Sequence, residues 1–371
     1  MSQDVHARNK AALAPMRKAQ YDYEPGRVLA TLRDVFLPHA AVHLATPFED
    51  LDGAQGLYDK AYAPLHHAVP DLERRDTIVM AGPSGSGANW VGCCGYYTGS
   101  FVRPWLDIPP TGHQVAMRFH EFYRMEDGKV VEMQALWDIP EVMLQARAWP
   151  MAPSLGREWQ VPGPATQDGL VAAPRDTQRS QASLKLVGDM LAGLGKFATG
   201  GVEAMRLADY WHPRCSWYGP SGIGTGRGIA GFRNWHQIPF LNAMPDRVGS
   251  TVAGKGNLFA DGDYVAVTAW PGMHMSISGD GWMGIAPSAQ KITMRSLDFW
   301  RCENGLIREN WVLVDPLHVY RQIGVDVLAR LREFNQARNG PARRCIAALD
   351  AALSLRRANL IQPNDTWIPP C

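Results

Sequence analysis

The chain is expected to fold as an α+β protein built twice over, and three features of the sequence predict it. Two stretches of 41 residues, Trp105 to Gln145 and Trp282 to Gln322, align without a gap at a constant offset of 177 (282 − 105) and are identical at 14 positions. Chance gives about two or three matches at ordinary residue usage. Each copy runs from helical periodicity into β-rich segments. Each also places a two-residue hairpin signal, Asp127-Gly128 or Asn304-Gly305, between two of those segments.

The elements follow in order. Val28, Leu32, Val35 and Phe36 recur at helical spacing and open the first copy. Short strand-like segments come next, Ala41 to Leu44 and, in the second copy, Cys215 to Tyr218. Glycine-bounded helices are then expected near Ala54–Ala63 and Ile229–Pro239. Beyond Pro70-Asp71 and its counterpart Pro245-Asp246 the pattern turns to β. Thr77–Met80 and Asn89–Tyr97 flank a Gly/Ser loop, Tyr264–Trp270 reads as a strand of the second copy, and the two hairpins follow. A short helix should close each unit after Asp138 and Asp315. Helices first and an antiparallel sheet afterwards make an α+β unit whose sheet is covered on one face. A sufficiently curved sheet would leave a pocket beneath those helices.

A period of about 175 residues suits two globular domains better than a solenoid, whose units run to roughly 20–50. The first domain is expected over 21–150. Residues 151–178 read as a linker, since Pro150 to Pro174 holds five prolines and little periodicity. The second domain is expected over 179–325, opening on a helix over Arg179–Phe197. A helical tail over 326–371 should have stretches near Val325–Ala337 and Ala342–Arg357, separated by Gly340-Pro341.

Composition narrows the function. With 37 basic and 36 acidic residues and no long basic run, a nucleic-acid groove has no electrostatic support. No apolar run approaches the roughly 20 residues that cross a bilayer, and the N-terminus lacks the layout of a secretory signal. Six cysteines without CxxC spacing point to reduced thiols in a cytoplasmic protein. No His-x-x-x-His pair or Ser-His-Asp order stands out, and Gly219 to Gly226 lacks the Gly-Lys-Ser/Thr ending of a phosphate loop. Neither a metal nor a cofactor is expected.

The run Ile108 to His113, with Met117-Arg118, Tyr123 to Glu132 and a closing Asp138, closely resembles the SnoaL-like polyketide cyclases. So does Arg295 to Gly305 followed by Glu309 to Asp315. The second copy carries the family's Trp-x-x-x-Asp ending as Trp311 and Asp315, where the first has Gln134 and Asp138. Gly272-Met273-His274 is similar to the family's Gly-x-His strand, where the first copy has Gly95-Tyr96-Tyr97. The resemblance covers about two thirds of the chain. It implies a cone-shaped domain, a cystatin-like roll in which a curved antiparallel sheet wraps N-terminal helices, shared with nuclear transport factor and ketosteroid isomerase. It also implies sheet-to-sheet pairing, so two fused copies would form an internal pseudo-dimer, with a further homodimer open to the whole chain.

In the resembled cyclases the Trp-x-x-x-Asp aspartate is the acid/base of an aldol closure. That role would fall on Asp315 and Asp138, with His274 polarising a substrate oxygen. Strand alternation places Glu309, Trp311, Leu313 and Asp315 on one face, and a carboxylate beside Trp and Leu would lose solvation and shuttle protons near neutral pH. Helix capping fits both aspartates as well, because Asp138-Ile139-Pro140-Glu141 and Asp315-Pro316 are helix-start patterns. Asp298, Glu121, Trp311, Trp270, Trp282, Tyr97 and Gln134 complete the expected substrate site. The ligand would be a small apolar or aromatic metabolite. The rival reading is a binding protein without catalysis, with one or both copies structural.

Overall fold

The structure is a computed structural model and describes residues 4–249 and 256–339. The first copy begins with α1 (Val5–Tyr21) and α2 (Pro25–Val35). Glu24 caps α2 through its carboxylate on the amides of Gly26 and Arg27, and Pro25 sits where no amide partner is needed. Strands β1 (Phe36–Leu44) and β2 (Glu49–Asp52) lead into a bent helix. That helix comprises α3 (Gly53–Leu57), a π turn over Tyr58–Tyr62 and α4 (Ala63–Ala68). Four strands follow, β3 (Glu73–Pro83), β4 (Asn89–Ser100), β5 (Gln114–Glu126) and β6 (Lys129–Trp137), then α5 (Ile139–Gln145).

The second copy repeats this plan. After α6 (Thr177–Leu194), α7 (Phe197–Ala204) and a short turn come β7 (Trp211–Tyr218) and β8 (Gly226–Arg227). The bent helix recurs as α8 (Gly228–Phe232), a π turn over Arg233–Gln237 and α9 (Ile238–Ala243). Strands β9 (Gly256–Asp261), β10 (Tyr264–Ala269), β11 (Met273–Ser276), β12 (Lys291–Met294), β13 (Ser296–Glu303) and β14 (Leu306–Val314) precede α10 (Pro316–Gln322) and α11 (Val327–Asn339).

Both six-stranded sheets have one order, β2-β1-β6-β5-β4-β3 and β8-β7-β14-β13-β10-β9, with one parallel pairing in each. The hairpin turns are as the sequence predicts. Asp127 and Gly128, and Asn304 and Gly305, all adopt positive φ, which the favoured two-residue turn demands at both positions. The π turns precede Pro64 and Pro239, and a proline without an N–H cannot complete a regular helical ladder. The expected helix over Ala342–Arg357 lies outside the described residues.

Three cores hold the molecule together. One fills the first copy beneath its helices, and one lines the second. The third joins the outer faces of the two sheets and includes Ile78, Trp90, Phe122, Leu136, Phe259, Phe299, Trp311 and Leu313. Phe122 stacks on Phe299, its own counterpart at the 177 offset, with ring centroids 4.9 Å apart. A residue meeting its equivalent marks a two-fold relation between the copies. The segment 151–178 has little regular structure but is not a free tether. Val161 enters the third core, and the Trp311 indole donates to the Pro162 carbonyl at 2.9 Å.

Two segments beyond the expected domain limits are also built in. Leu13, Met16 and Ala19 of α1 join the first core, and Lys10 pairs with Asp261 of the second copy at 2.7 Å. At the other end Val327 and Leu331 of α11 pack into the first copy's core, beside Leu317 and Tyr320 of α10 from within the second domain. The second copy therefore covers the first.

Candidate active site

Each sheet has an inner face under helices and an outer face against its sister, and the β13–β14 register sorts the candidates between them. Asp298 pairs with Val312 and Trp300 with Asn310, so Ser296, Asp298, Trp300, Asn310, Val312 and Val314 share the inner face. Glu309, Trp311, Leu313 and Asp315 share the outer one. The alternation expected from sequence holds, but the set containing Asp315 faces away from the second copy's interior.

That interior contains a cavity of about 120 Å³. Trp211, Trp217, Phe232, Phe240, Trp282 and Trp300 form much of its wall, with Met190, Leu191 and Leu194 of α6 closing one side. Five polar side chains reach it besides Ser296: Asp298, Asn310, His236, Gln237 and Arg247. The Asp298 carboxylate accepts from the Ser296 hydroxyl at 2.9 Å. Burial pushes its pKa up to about 7, against the weaker opposing pulls of that hydroxyl and of Arg118. His236 stacks on Trp217 at 4.1 Å, and burial pushes it down to about 3, so its ring is neutral. Its Nδ1, both amide atoms of Gln237 and Nε of Arg247 have no hydrogen-bond partner among the described residues. Buried polar atoms left this way cost about 1–3 kcal/mol each, which favours a ligand that satisfies them. A larger recess of about 380 Å³, with Leu155, Trp235 and Asp280 on its walls, shares Ile223, His236 and Trp282 with the cavity.

Among the described residues, the space found inside the first copy is a much smaller crevice of about 10 Å³. The aligned pairs explain why. At the 177 offset Phe119 faces Ser296 and Trp137 faces Val314, both large-to-small exchanges toward the second copy. The bulky first-copy residues surround Glu121, which accepts from Arg74 at 2.5 Å, Tyr123 at 2.6 Å, Tyr97 at 2.8 Å and the Trp137 indole at 3.0 Å. Tyr62 adds a hydroxyl contact to Tyr97 at 3.0 Å. Glu121 and Tyr97 thus belong to a closely hydrogen-bonded polar core filled by aromatic side chains.

The remaining expected site residues stand elsewhere. Asp315 accepts from the His318 amide at 3.0 Å, from Arg295 at 3.0 Å and from the first copy's Thr46 amide at 2.9 Å. It caps α10 and ties the copies together, and it does not line the cavity. Asp138 mirrors it across the two-fold, accepting from the Ser221 amide at 2.9 Å with Arg118 at 3.6 Å. Its side chain makes no capping bond to α5. Burial between the copies raises its pKa to about 6, without a cavity beside it. Trp311 and Gln134 lie on the outer faces, where Gln134 accepts from Thr268 of the second copy at 2.6 Å. Trp270 carries Arg295 over its ring at 4.2 Å and stacks on His43. Only Asp298 and Trp282, of the ten residues singled out, reach the cavity.

His274 is displaced by a register change. Tyr97 pairs with Met117 in the first copy, whereas Met294, the counterpart of Met117, pairs with Met273. The strand is interrupted between Ala269 and Met273, where Pro271 lacks an N–H for the ladder. Met273 therefore lines the cavity, and His274 lies with Asp246, Thr293 and Gln322 along a recess outside it.

His236, Gln237, Arg247 and Asn310 escaped the sequence reading. The gapless alignment did contain a signal for the cavity itself, since Phe119/Ser296 and Trp137/Val314 are large-to-small exchanges on inward positions. Asp315→Asn is expected to keep the capping acceptor yet weaken the Arg295 pair. The expected stability loss is about 1–3 kcal/mol, read by urea unfolding, with ligand binding in the cavity unchanged.

No group of three or more His, Cys, Asp or Glu side chains suited to a metal ion occurs among the described residues. No helix among them is long and apolar enough to cross a membrane. Cys93, Cys94, Cys215 and Cys302 are buried free thiols, and burial raises the pKa of each.

Comparison with known proteins supplies the lineage. The sequence model of the SnoaL-like polyketide cyclases matches residues 26–146 and 200–323. Among solved structures, IdmH from Streptomyces antibioticus is 19% identical, covering 37% of this chain and 96% of its own, with a TM-score of 0.32. A SnoaL-like protein of Jannaschia sp. CCS1 is 21% identical over 38% of this chain and 94% of its own, at 0.32. AclR from Streptomyces galilaeus is 20% identical over 40% and 86%, at 0.33. No curated protein matches.

Proposed function

Because the chain belongs to the SnoaL-like polyketide cyclase family, we propose that its second copy performs cofactor-independent proton transfer of the cyclase or isomerase type on a small apolar or aromatic carbonyl compound, with Asp298 as the acid/base. The single observation that carries this reading is the cavity found in the second copy, with the Asp298 carboxyl held near pH 7 by its burial. A general acid/base works best when its pKa lies close to the operating pH. The first copy, filled around Glu121 and covered by α10 and α11, serves as the partner on which the active copy is built.

The chemistry follows from the groups present. Ionised Asp298 takes a proton from a carbon next to a carbonyl, and the electron pair of the broken C–H bond moves onto the carbonyl oxygen as an enolate. The Gln237 amide N–H₂ is a donor without a partner in the described structure and can hold that oxygen. The enolate carbon then either recovers a proton from Asp298 or attacks a second carbonyl in the same molecule, whose π electron pair moves onto its oxygen and takes up the Asp298 proton to give a hydroxyl. The aromatic walls exclude water while this happens.

Deuterium exchange at the acidic carbon of 1-phenylbutane-1,3-dione, followed by NMR, tests the reading without knowledge of the natural substrate. The protein is expected to accelerate exchange, with a rate that rises with pH through a midpoint near 7 and then levels, as the ionised base accumulates. Saturable binding with no acceleration at any pH would leave a binding protein in place of an enzyme.

A further inference from the structure

We propose that the second-copy cavity takes a carboxylic acid whose apolar body is about the size of one ring, with the carboxylate held by Arg247 and the body directed toward Asp298. The inference rests on the reading of this cavity as the ligand site and adds the class of ligand.

Arg247 lines the cavity together with Asp298. Arg247 is partly buried, with its Nε fully enclosed, whereas the fully buried guanidiniums have acidic or carbonyl partners. Arg74 meets Glu121 and Asp76, Arg295 meets Asp315, Arg301 meets Glu309, and Arg118 donates to three backbone carbonyls. Arg247 has no carboxylate partner among the described residues. Among the described residues it meets the Met273 sulfur at 3.9 Å and the Phe240 ring, 5.7 Å from the guanidinium carbon, and its Nε has no acceptor. Residues 250–255, next along the chain, are Ser-Thr-Val-Ala-Gly-Lys and bring no acid. Burial lowers its pKa, with no anion among the described residues to restore it.

A guanidinium so placed is costly for the empty protein and well suited to an anion, because its planar fork matches a carboxylate in two parallel hydrogen bonds. Phe240, His236 and Trp282 form a succession of ring contacts beside it, at 5.4 Å and 6.0 Å from Phe240. The body that follows the carboxylate therefore meets an aromatic wall. Size sets the rest. An apolar cavity of about 150 Å³ holds one benzene ring, and this one is about 120 Å³. Arg247 and Asp298 also border a recess of about 250 Å³, which leaves room for a substituent beyond that ring.

Phenylacetate and phenylacetamide, which share shape and differ in charge, make the test by calorimetry on the full chain. Phenylacetate is expected to bind at least tenfold more tightly than the amide. Arg247→Met should abolish that preference while leaving the amide's affinity within about twofold, which also reports an intact cavity. Equal affinity for the two in the unaltered protein overturns the inference, as does an equal loss of both in the variant or failure of both to bind. Acid preference without deuterium exchange on the diketone would sustain this inference and remove the proton-transfer reading. Exchange without acid preference would do the reverse.

Discussion

Asp298→Asn is expected to lower the exchange rate by roughly 10²–10⁴-fold, the usual contribution of a positioned acid/base, while making the protein more stable above neutral pH. The two effects share one cause. Burial holds the folded-state pKa near 7, against 3.8 for an ordinary aspartate. The folded state thus binds a proton that the unfolded chain has released between those values. Stability associated with the protonated carboxyl is fully present below about pH 4 and is lost as pH rises through 7. Asn cannot ionise, so the variant escapes this loss, on the order of a few kcal/mol since one pKa unit is about 1.4 kcal/mol. Urea unfolding at pH 5 and pH 8 separates the variant from the parent. Lost activity with gained stability at pH 8 identifies a functional carboxylate. Lost stability at both pH values identifies a structural one and removes Asp298 from the mechanism.

Glu121→Leu is expected to produce the largest stability loss, about 3–5 kcal/mol, because it removes one member of a buried ion pair together with the acceptor of three other buried donors. Arg74 would keep Asp76, Gln20 and the Tyr97 hydroxyl, each at 3.0 Å, and Tyr97, Tyr123 and Trp137 would lose an acceptor together. The double variant Arg74→Met/Glu121→Leu should recover much of that loss, since removing a buried pair entirely is often neutral. Urea unfolding followed by Trp fluorescence reads both. A single variant as stable as the parent would show that the first copy tolerates an open interior, and its assignment as a structural partner would fall.

Much of the fold was legible in residues because it rests on local rules. The gapless offset of 177 reports a duplication whatever the tertiary arrangement, and Asp127-Gly128 and Asn304-Gly305 prescribe their turns through φ alone. Helices after Gly53 and Gly228 were legible from their glycine bounds, although their bend and continuation to Ala68 and Ala243 through π turns were not. The candidate site was less legible. Gln237 and Arg247 sit on segments with little patterning. Their significance depends on which neighbours they lack, and that is a property of packing. The role of α11 as cover over the first copy is equally invisible from its own periodicity.

Sequence by itself determined the duplication, the order of elements, the hairpins, and the two sets of alternating side chains along each strand. Tertiary structure alone decided which set faces a cavity. On a sheet exposed on one side, hydrophobicity would identify the inward set. Here both faces are buried, one by helices and the other by the sister sheet, so Trp311 and Leu313 on the outside are as apolar as Trp300 and Val312 within. With burial equal on both sides, parity assigns partners but not direction. Asp315 therefore joins the copies, while Asp298, three residues from the Arg295 that binds Asp315, faces the cavity.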